Sequence, residues 1–381
     1  MAIYLDNAAT SFPKPEPVVK EMNRYLTEVG ASAGRGAYRR ALEADSLVYQ
    51  ARKSLGLLFN IKDNSRIVFT PNATESLNLA LKGLLNDQAH VITTAMEHNA
   101  VWRPLKSLEK EKGIRITTIP CPEGCAFDPA ALEKAIKPDT GLVVLTHASN
   151  VTGAIMPVEE AGQICRSKGV PLLVDVAQTA GIYPIDIIKL NIDLLAFTGH
   201  KGLLGPTGTG GLYISPGRDL KPLKEGGTGG ESMLEHMPDH LPDRYEAGTL
   251  NIAGIAGLGA AVKYILDQDV NNIWEHERKL VEYGLQELER VPGITVYGPV
   301  EAAKRVGVIS FNLDGLAPED AAYALDEGYG IMVRSGLHCS PQGHRSIGTE
   351  ERGTVRVGLS YFNRFEDIDR LVEALIEIVS L

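Results

Sequence analysis

The stretch Leu172-Leu173-Val174-Asp175-Val176-Ala177-Gln178 decides how the chain is read. A short apolar run that stops on a carboxylate is a strand buried on both faces, ending at the edge where such sheets bind ligands. Working outward, runs of the same kind lie at Ile67-Val68-Phe69, Val91-Ile92-Thr93, Ile114 to Ile119, Leu142 to Thr146, Leu194 to Phe197 and Gly211 to Ile214. Helical patterns fall between several of them, at Thr74 to Leu85 (with Leu77, Leu81 and Leu84 on one face), Pro129 to Ile136 and Val158 to Arg166. Strands alternating with crossover helices predict an α/β fold whose mostly parallel sheet is covered on both faces. The pattern changes after about residue 255. One long helix is predicted roughly from Gly254 into Leu288, then strands at Ile294 to Tyr297, Val306 to Asn312 and Val355 to Leu359, with helices at Pro318 to Asp326 and Phe365 to Val379. This reads as a smaller α+β domain. The expected division is 15–253 for the large domain and 254–381, joined by 1–14, for the small one.

With 381 residues, 44% hydrophobic and 23% charged, the chain has an ordinary globular composition and can bury a large core. A net charge of −10 disfavours nucleic acid as the main partner, because a phosphate backbone calls for a basic footprint. It leaves room for a local anion site. No run reaches the ~18 apolar residues of a membrane span. The start, Met1-Ala2-Ile3-Tyr4-Leu5-Asp6, lacks the basic region of a signal peptide. Four cysteines are too few for a disulfide framework, so a cytoplasmic setting is expected.

The motifs GxGxxG, GxxxxGK[ST] and HExxH are absent, and the glycine clusters at 205–211 and 226–230 read equally as turns or binding loops. Asp175, at a strand end, suits a cation, a metal or a protonated ring nitrogen, or it caps the next helix. The following strand ends in Thr198-Gly199-His200-Lys201-Gly202. A lysine there acts as a nucleophile or forms a Schiff base if its pKa is lowered; otherwise it is a solvated charge. Together, an Asp and a Lys on successive strand ends match what pyridoxal phosphate needs. The lysine makes the imine, and the carboxylate keeps the pyridinium nitrogen protonated so that the ring accepts electrons. Thr70-Pro71-Asn72-Ala73-Thr74-Glu75-Ser76 joins a strand to a helix whose free N–H groups, with the Thr74 hydroxyl, suit a phosphate or ordinary capping. His98, in Glu97-His98-Asn99, either stacks on a flat ring or is structural.

Cys339 stands in Arg334-Ser335-Gly336-Leu337-His338-Cys339-Ser340-Pro341-Gln342-Gly343-His344. Gly, Ser and Pro mark a loop. Arg334, His338 and His344 are expected to give it a cationic surrounding that lowers the thiol's pKa. A metal site from His338, Cys339 and His344 lacks a fourth ligand. Cys121 and Cys125 have no second pair, and Cys165 lies on an apolar helical face and reads as core.

Taken in chain order, Tyr4-Leu5-Asp6-Asn7-Ala8-Ala9-Thr10, Asn72-Ala73-Thr74-Glu75-Ser76, Glu97-His98-Asn99, Ser149-Asn150-Val151-Thr152-Gly153, Asp175-Val176-Ala177-Gln178, Thr198-Gly199-His200-Lys201 and Arg334-Ser335-Gly336-Leu337-His338-Cys339 resemble the class V aminotransferase-fold pyridoxal phosphate enzymes, specifically the cysteine desulfurases. The resemblance implies the fold type I of pyridoxal phosphate-dependent transferases, with a seven-stranded sheet in the large domain. It implies that Lys201 binds pyridoxal 5'-phosphate covalently, Asp175 pairs with the pyridine nitrogen, Gln178 reaches the ring hydroxyl and His98 stacks on the ring. Ala73 and Thr74 at the helix start, Thr198 and His200 would hold the phosphate, together with Thr249 of a neighbouring subunit. A homodimer is therefore the expected unit. Asn150 and Arg356 would bind the substrate carboxylate, to which an arginine fork is suited. Cys339 would take sulfur from L-cysteine, leaving a persulfide for a sulfur-acceptor protein and releasing L-alanine.

The sequence departs from this pattern in two places. The segment from Ala31 to Tyr38, where many relatives carry a histidine near the substrate, holds none, with Arg35 and Tyr38 nearby instead. Leu337 stands where the closest desulfurase type often has a second histidine. Both bear on the substrate rather than the cofactor. Selenocysteine lyase shares the alanine-producing chemistry. Another class V aminotransferase or epimerase would leave Cys339 incidental. A scaffold without activity would need neither Lys201 nor Asp175.

Overall fold

The computed structural model describes residues 2–34 and 36–380; Arg35, named above near the substrate region, lies outside the described residues. The chain opens with β1 (Ile3–Tyr4), α1 (Glu16–Arg24) and α2 (Arg39–Phe59). Then come β2 (Ile67–Thr70), α3 (Ala73–Leu84), β3 (His90–Thr94), α4 (Asn99–Lys112), β4 (Arg115–Ile119), α5 (Pro129–Ala135), β5 (Thr140–Thr146), α6 (Val158–Lys168), β6 (Leu172–Asp175), β7 (Leu194–Thr198) and β8 (Gly210–Ile214). These strands form one sheet in the order β2-β8-β7-β6-β5-β3-β4. Neighbours from β7 to β4 run parallel, and β8 runs against both of its neighbours. The expected mostly parallel seven-stranded sheet is present. Every residue of β6 and β7 is buried, which is why their sequences are continuous apolar runs without alternation. Leu172 and Val174 enter the core with α2 and α6, and Leu173 enters the one with α3 and α4.

The rest of the chain gives α7 (Ile252–Gln268), α8 (Val270–Leu288), β9 (Ile294–Tyr297), β10 (Val308–Leu313), α9 (Pro318–Tyr329), β11 (Ile331–Met332), β12 (Arg334–Gly336), α10 (Pro341–Ser346), β13 (Thr354–Gly358) and α11 (Phe365–Ser380). An antiparallel sheet runs β12-β13-β10-β9, and β1 pairs with β11 in parallel. The single helix expected from Gly254 into Leu288 is two helices. Asp269 separates them: its φ of 67° cannot continue an α-helix, and its carboxylate accepts the Asn271 N–H to start α8. Ile255, Leu258, Val262 and Ile265 of α7 join the large core, because Gly259 lets α7 lie close on α2, where a Cβ would meet Ala51 at 3.1 Å. Packing therefore changes near the α7–α8 junction. Among the described residues, no helix is long and apolar enough to cross a membrane.

Residues 2–14 strap the two units together. After β1, the Leu5 carbonyl accepts the Gly358 N–H at 2.6 Å and the Asn7 N–H donates to the Gly358 carbonyl at 3.1 Å. Further on, the Ser11 N–H and the Lys14 ammonium both donate to the His200 carbonyl, each at 2.9 Å. The strap thus touches β13 at one end and the residue before Lys201 at the other. A Cβ on Gly358 would lie 2.6 Å from the Ala8 nitrogen, so the strap sits on bare backbone there. Gly358→Ala should lower stability by about 1–3 kcal/mol, as forced displacements in packed structure do. Urea unfolding checks this, and an unchanged midpoint would contradict the close seating of the strap.

Candidate active site

A cavity of about 220 Å³ opens at the carboxyl ends of the central strands. Ala73, Thr74, His98, Asn150, Asp175, Gln178, Thr198, His200 and Lys201 all line it. The parallel pairing of β6 with β7 sets the turns after Asp175 and Thr198 side by side. Asp175 is buried, and its Oδ1 accepts the Ala177 N–H at 2.9 Å. It therefore does serve as a turn acceptor, but with one oxygen only. Burial pushes its pKa up, while the Ala177 N–H and the Lys201 charge pull it back. Burial, then the charge of Arg356, push Lys201 down to about 8, against the pull of Asp175. A lysine amine near 8 is free in a useful fraction of molecules at neutral pH, so it is a nucleophile.

His98 is the N-cap of α4, and its Nδ1 accepts the Ala100 N–H at 3.0 Å. Burial and the Lys201 charge hold its imidazole down to about 4, so the ring is neutral with its proton on Nε2. Glu97, beside it, is wholly interior. Its Oε1 accepts from the Thr94 hydroxyl at 2.7 Å and the Thr146 N–H at 3.0 Å, and burial pushes its pKa up to about 8.

At the start of α3, the Asn72 side chain accepts the Glu75 N–H at 2.9 Å. Helix geometry leaves the N–H groups of Ala73 and Thr74 unclaimed. His200 Nδ1 is buried with no partner among the described residues, and burial holds that ring down to about 4. The Thr198 hydroxyl reaches the Thr209 carbonyl at 3.5 Å, and the Gln178 amide donates to the Ala8 carbonyl at 3.1 Å. Thr249 is exposed and lies away from this cleft, in a separate concavity with Arg52, Asp243 and Glu246. Pyridoxal phosphate fits this donor set. The orphaned His200 nitrogen and the open start of α3 suit its phosphate, Asp175 is a buried carboxylate suited to a ring cation, and Lys201 supplies the amine.

Arg356, on β13, is 2% exposed. Its Nη1 donates to the Asn150 carbonyl and its Nη2 to Asp6 Oδ1, both at 3.0 Å. Its Nε is buried and has no partner among the described residues. The Asn150 amide donates to the His338 carbonyl at 2.6 Å, so this residue holds the cysteine loop as well as the arginine.

Cys339 is exposed, and both it and His338 are left-handed, with φ of 58° and 49°. Such residues cost on the order of 1–3 kcal/mol each and persist only where surroundings hold them. Here the Asn99 N–H donates to the Cys339 carbonyl at 2.8 Å, and the Ser340 hydroxyl donates to the Glu97 carbonyl at 2.9 Å. The loop is therefore fastened over His98. The cationic surrounding expected from His338 and His344 is absent. Both rings are buried, which pushes His338 down to about 2 and His344 to about 4, so both are neutral at pH 7. The cations whose charge reaches this loop, at His338, are Arg356 and Arg334. Burial pushes the Cys121 and Cys165 thiols up to about 12. Among the described residues, no cluster of His, Cys, Asp or Glu is placed to hold a metal ion.

Asp6, Glu97, Asn99 and Ser340 received no role from the sequence. All four stand inside quoted motifs, and that was their only signal. The low Lys201 pKa has a direct consequence. Competitive acetylation, followed by mass spectrometry of the protein freed of any cofactor, should label Lys201 half-maximally near pH 8. An ordinary lysine would titrate near pH ~10.

Comparison with known proteins agrees with this geometry. The family model described as aminotransferase class-V matches residues 3–371. A probable cysteine desulfurase of Methanothermobacter thermautotrophicus is 37% identical over 385 residues, covering 100% of this chain and 95% of the relative. One from Pyrococcus abyssi is 38% identical, covering 99% and 94%. The apo structure of a cysteine desulfurase from Thermococcus onnurineus NA1 superposes with a TM-score of 0.94 at 36% identity, covering 100% of this chain and 95% of that one. The chain belongs to the aminotransferase class-V family.

Proposed function

We propose that the chain is a pyridoxal phosphate-dependent cysteine desulfurase, converting L-cysteine to L-alanine and keeping the sulfur as a persulfide on Cys339. The observation that carries this reading is the cysteine itself. It is exposed and fastened beside His98 by the Asn99 N–H. Transamination or epimerisation would give such a thiol no task.

Pyridoxal phosphate, when bound, supplies an electron sink conjugated to the substrate's α-carbon. Lys201 would hold it, and the amine, once released, holds and returns a proton at the substrate. Asp175 would keep the ring nitrogen protonated, and His98 would stack on the ring. Gln178, now resting on the Ala8 carbonyl, would turn to the ring hydroxyl. Ala73, Thr74, Thr198 and His200 would hold the phosphate. Arg356 offers its unpartnered Nε–H to the substrate carboxylate, with Asn150 beside it. The Cys339 thiolate attacks the substrate sulfur. The new S–S bond forms as the carbon–sulfur bond breaks, its electron pair passes to the substrate carbon, and a proton there completes L-alanine. Overall, a thiol and L-cysteine become a persulfide and L-alanine, and every atom is accounted for.

The exposed position of Thr249 supports its reaching a second copy's phosphate, and hence a homodimer. An exposed persulfide suits delivery to a separate acceptor protein in a cytoplasmic setting. Cys339→Ala should still take up the cofactor and change its visible spectrum on adding L-cysteine. It should form no persulfide and release alanine at least about 100-fold more slowly, as expected for loss of a nucleophile. Alanine release at the wild-type rate would refute the persulfide route. If the two proteins match on selenocysteine alone, selenocysteine lyase replaces desulfurase.

A further inference from the structure

We infer that Asp6 is a positioning residue for the amino-acid carboxylate: it holds the Arg356 guanidinium so that its unpartnered Nε–H is kept for the substrate. The inference rests on the reading of Arg356 as the carboxylate clamp. Asp6 belongs to the motif Tyr4-Leu5-Asp6-Asn7-Ala8-Ala9-Thr10, to which the reaction above gives no task. Its place is set by backbone register. Asp6 bridges Gly358 on β13, two residues beyond Arg356 on the same strand, and its Oδ1 lies 3.0 Å from Nη2.

A guanidinium that is 2% exposed needs an anion, and Asp6 is the carboxylate paired with it among the described residues. With Asn150 on Nη1 and Asp6 on Nη2, two of the five N–H groups are used and the guanidinium is held in one orientation, with Nε–H among the donors still free. The hydrogen bond to Asp6 ties the clamp to the strap and so fixes where it can meet a carboxylate. The consequence is specificity for α-amino acids over amines that carry the same thiol without a carboxylate.

The test uses the cofactor-loaded enzyme and the variants Asp6→Ala and Asp6→Asn. L-Cysteine turnover gives KM and kcat, and calorimetry gives binding of L-alanine and of cysteamine, which lacks the carboxylate. For Asp6→Ala, KM for L-cysteine and Kd for L-alanine should rise together by about 10- to 100-fold, the scale of a lost charge-assisted hydrogen bond. The kcat should stay within about threefold, and cysteamine binding and the visible spectrum should not change. Asp6→Asn keeps an acceptor without the charge and should fall between. If Asp6→Ala does not fold, Asp6→Asn carries the same comparison. Equal weakening of L-alanine and cysteamine, or no change in either, would overturn the inference. If the wild type binds L-alanine no better than cysteamine, the clamp reading itself fails and the role of Asp6 falls with it.

Discussion

Lys201 feels the charges of Asp6, Asp175 and Arg356, and holding these four groups together away from water is the constraint on which the rest depends. Each charge would cost several kcal/mol if buried alone. The two carboxylates offset part of the positive charge of Lys201, Arg356 and the nearby Arg334. Burial has visible effects all the same: the Lys201 amine is pushed down and the Asp175 carboxyl up. These are the perturbations that Schiff-base and ring-nitrogen chemistry use. The four residues come from the strap, from β6, from the turn after β7 and from β13. The fold must therefore bring both ends of the chain to the carboxyl edge of the central sheet, and residues 2–14 do this by hydrogen-bonding to Gly358 and to His200.

The turn from Thr94 to Asn99 ties this charge cluster to the loop that carries Cys339. Its Glu97 carboxyl takes the Thr146 N–H at the end of β5, its Glu97 carbonyl takes the Ser340 hydroxyl, and its Asn99 N–H takes the Cys339 carbonyl. His98 stands in the middle of the same turn. One short segment thus fixes His98 and the cysteine loop relative to the sheet. Because Glu97 is pushed up to about 8 by burial, it sits there largely as a neutral acid and adds little negative charge near Asp175.

Much of this was legible because the signals were local. Strands buried on both faces write themselves as apolar runs, and Asp175 and the turn with Lys201 mark their carboxyl ends directly. The helix break at Asp269 was hidden because the apolar pattern runs on through it, while the stop depends on one residue's backbone angle. The charge on the cysteine loop was misread for another reason. His338 and His344 are polar letters in a polar loop, but distant segments bury them and so neutralise them. The pairing of Asp6 with Arg356 depends on register between chain segments 350 residues apart, which no local pattern records.

The central claim is that this buried cluster and Cys339 together move sulfur from L-cysteine while releasing L-alanine. The most direct measurement incubates purified protein, pyridoxal phosphate and L-cysteine with a thiol reductant, and quantifies alanine, sulfide and pyruvate in the same sample. The account predicts alanine and sulfide in equal amounts with no pyruvate. Sulfide accompanied by pyruvate in place of alanine would mean that the substrate eliminates its thiol without Cys339, and would contradict it.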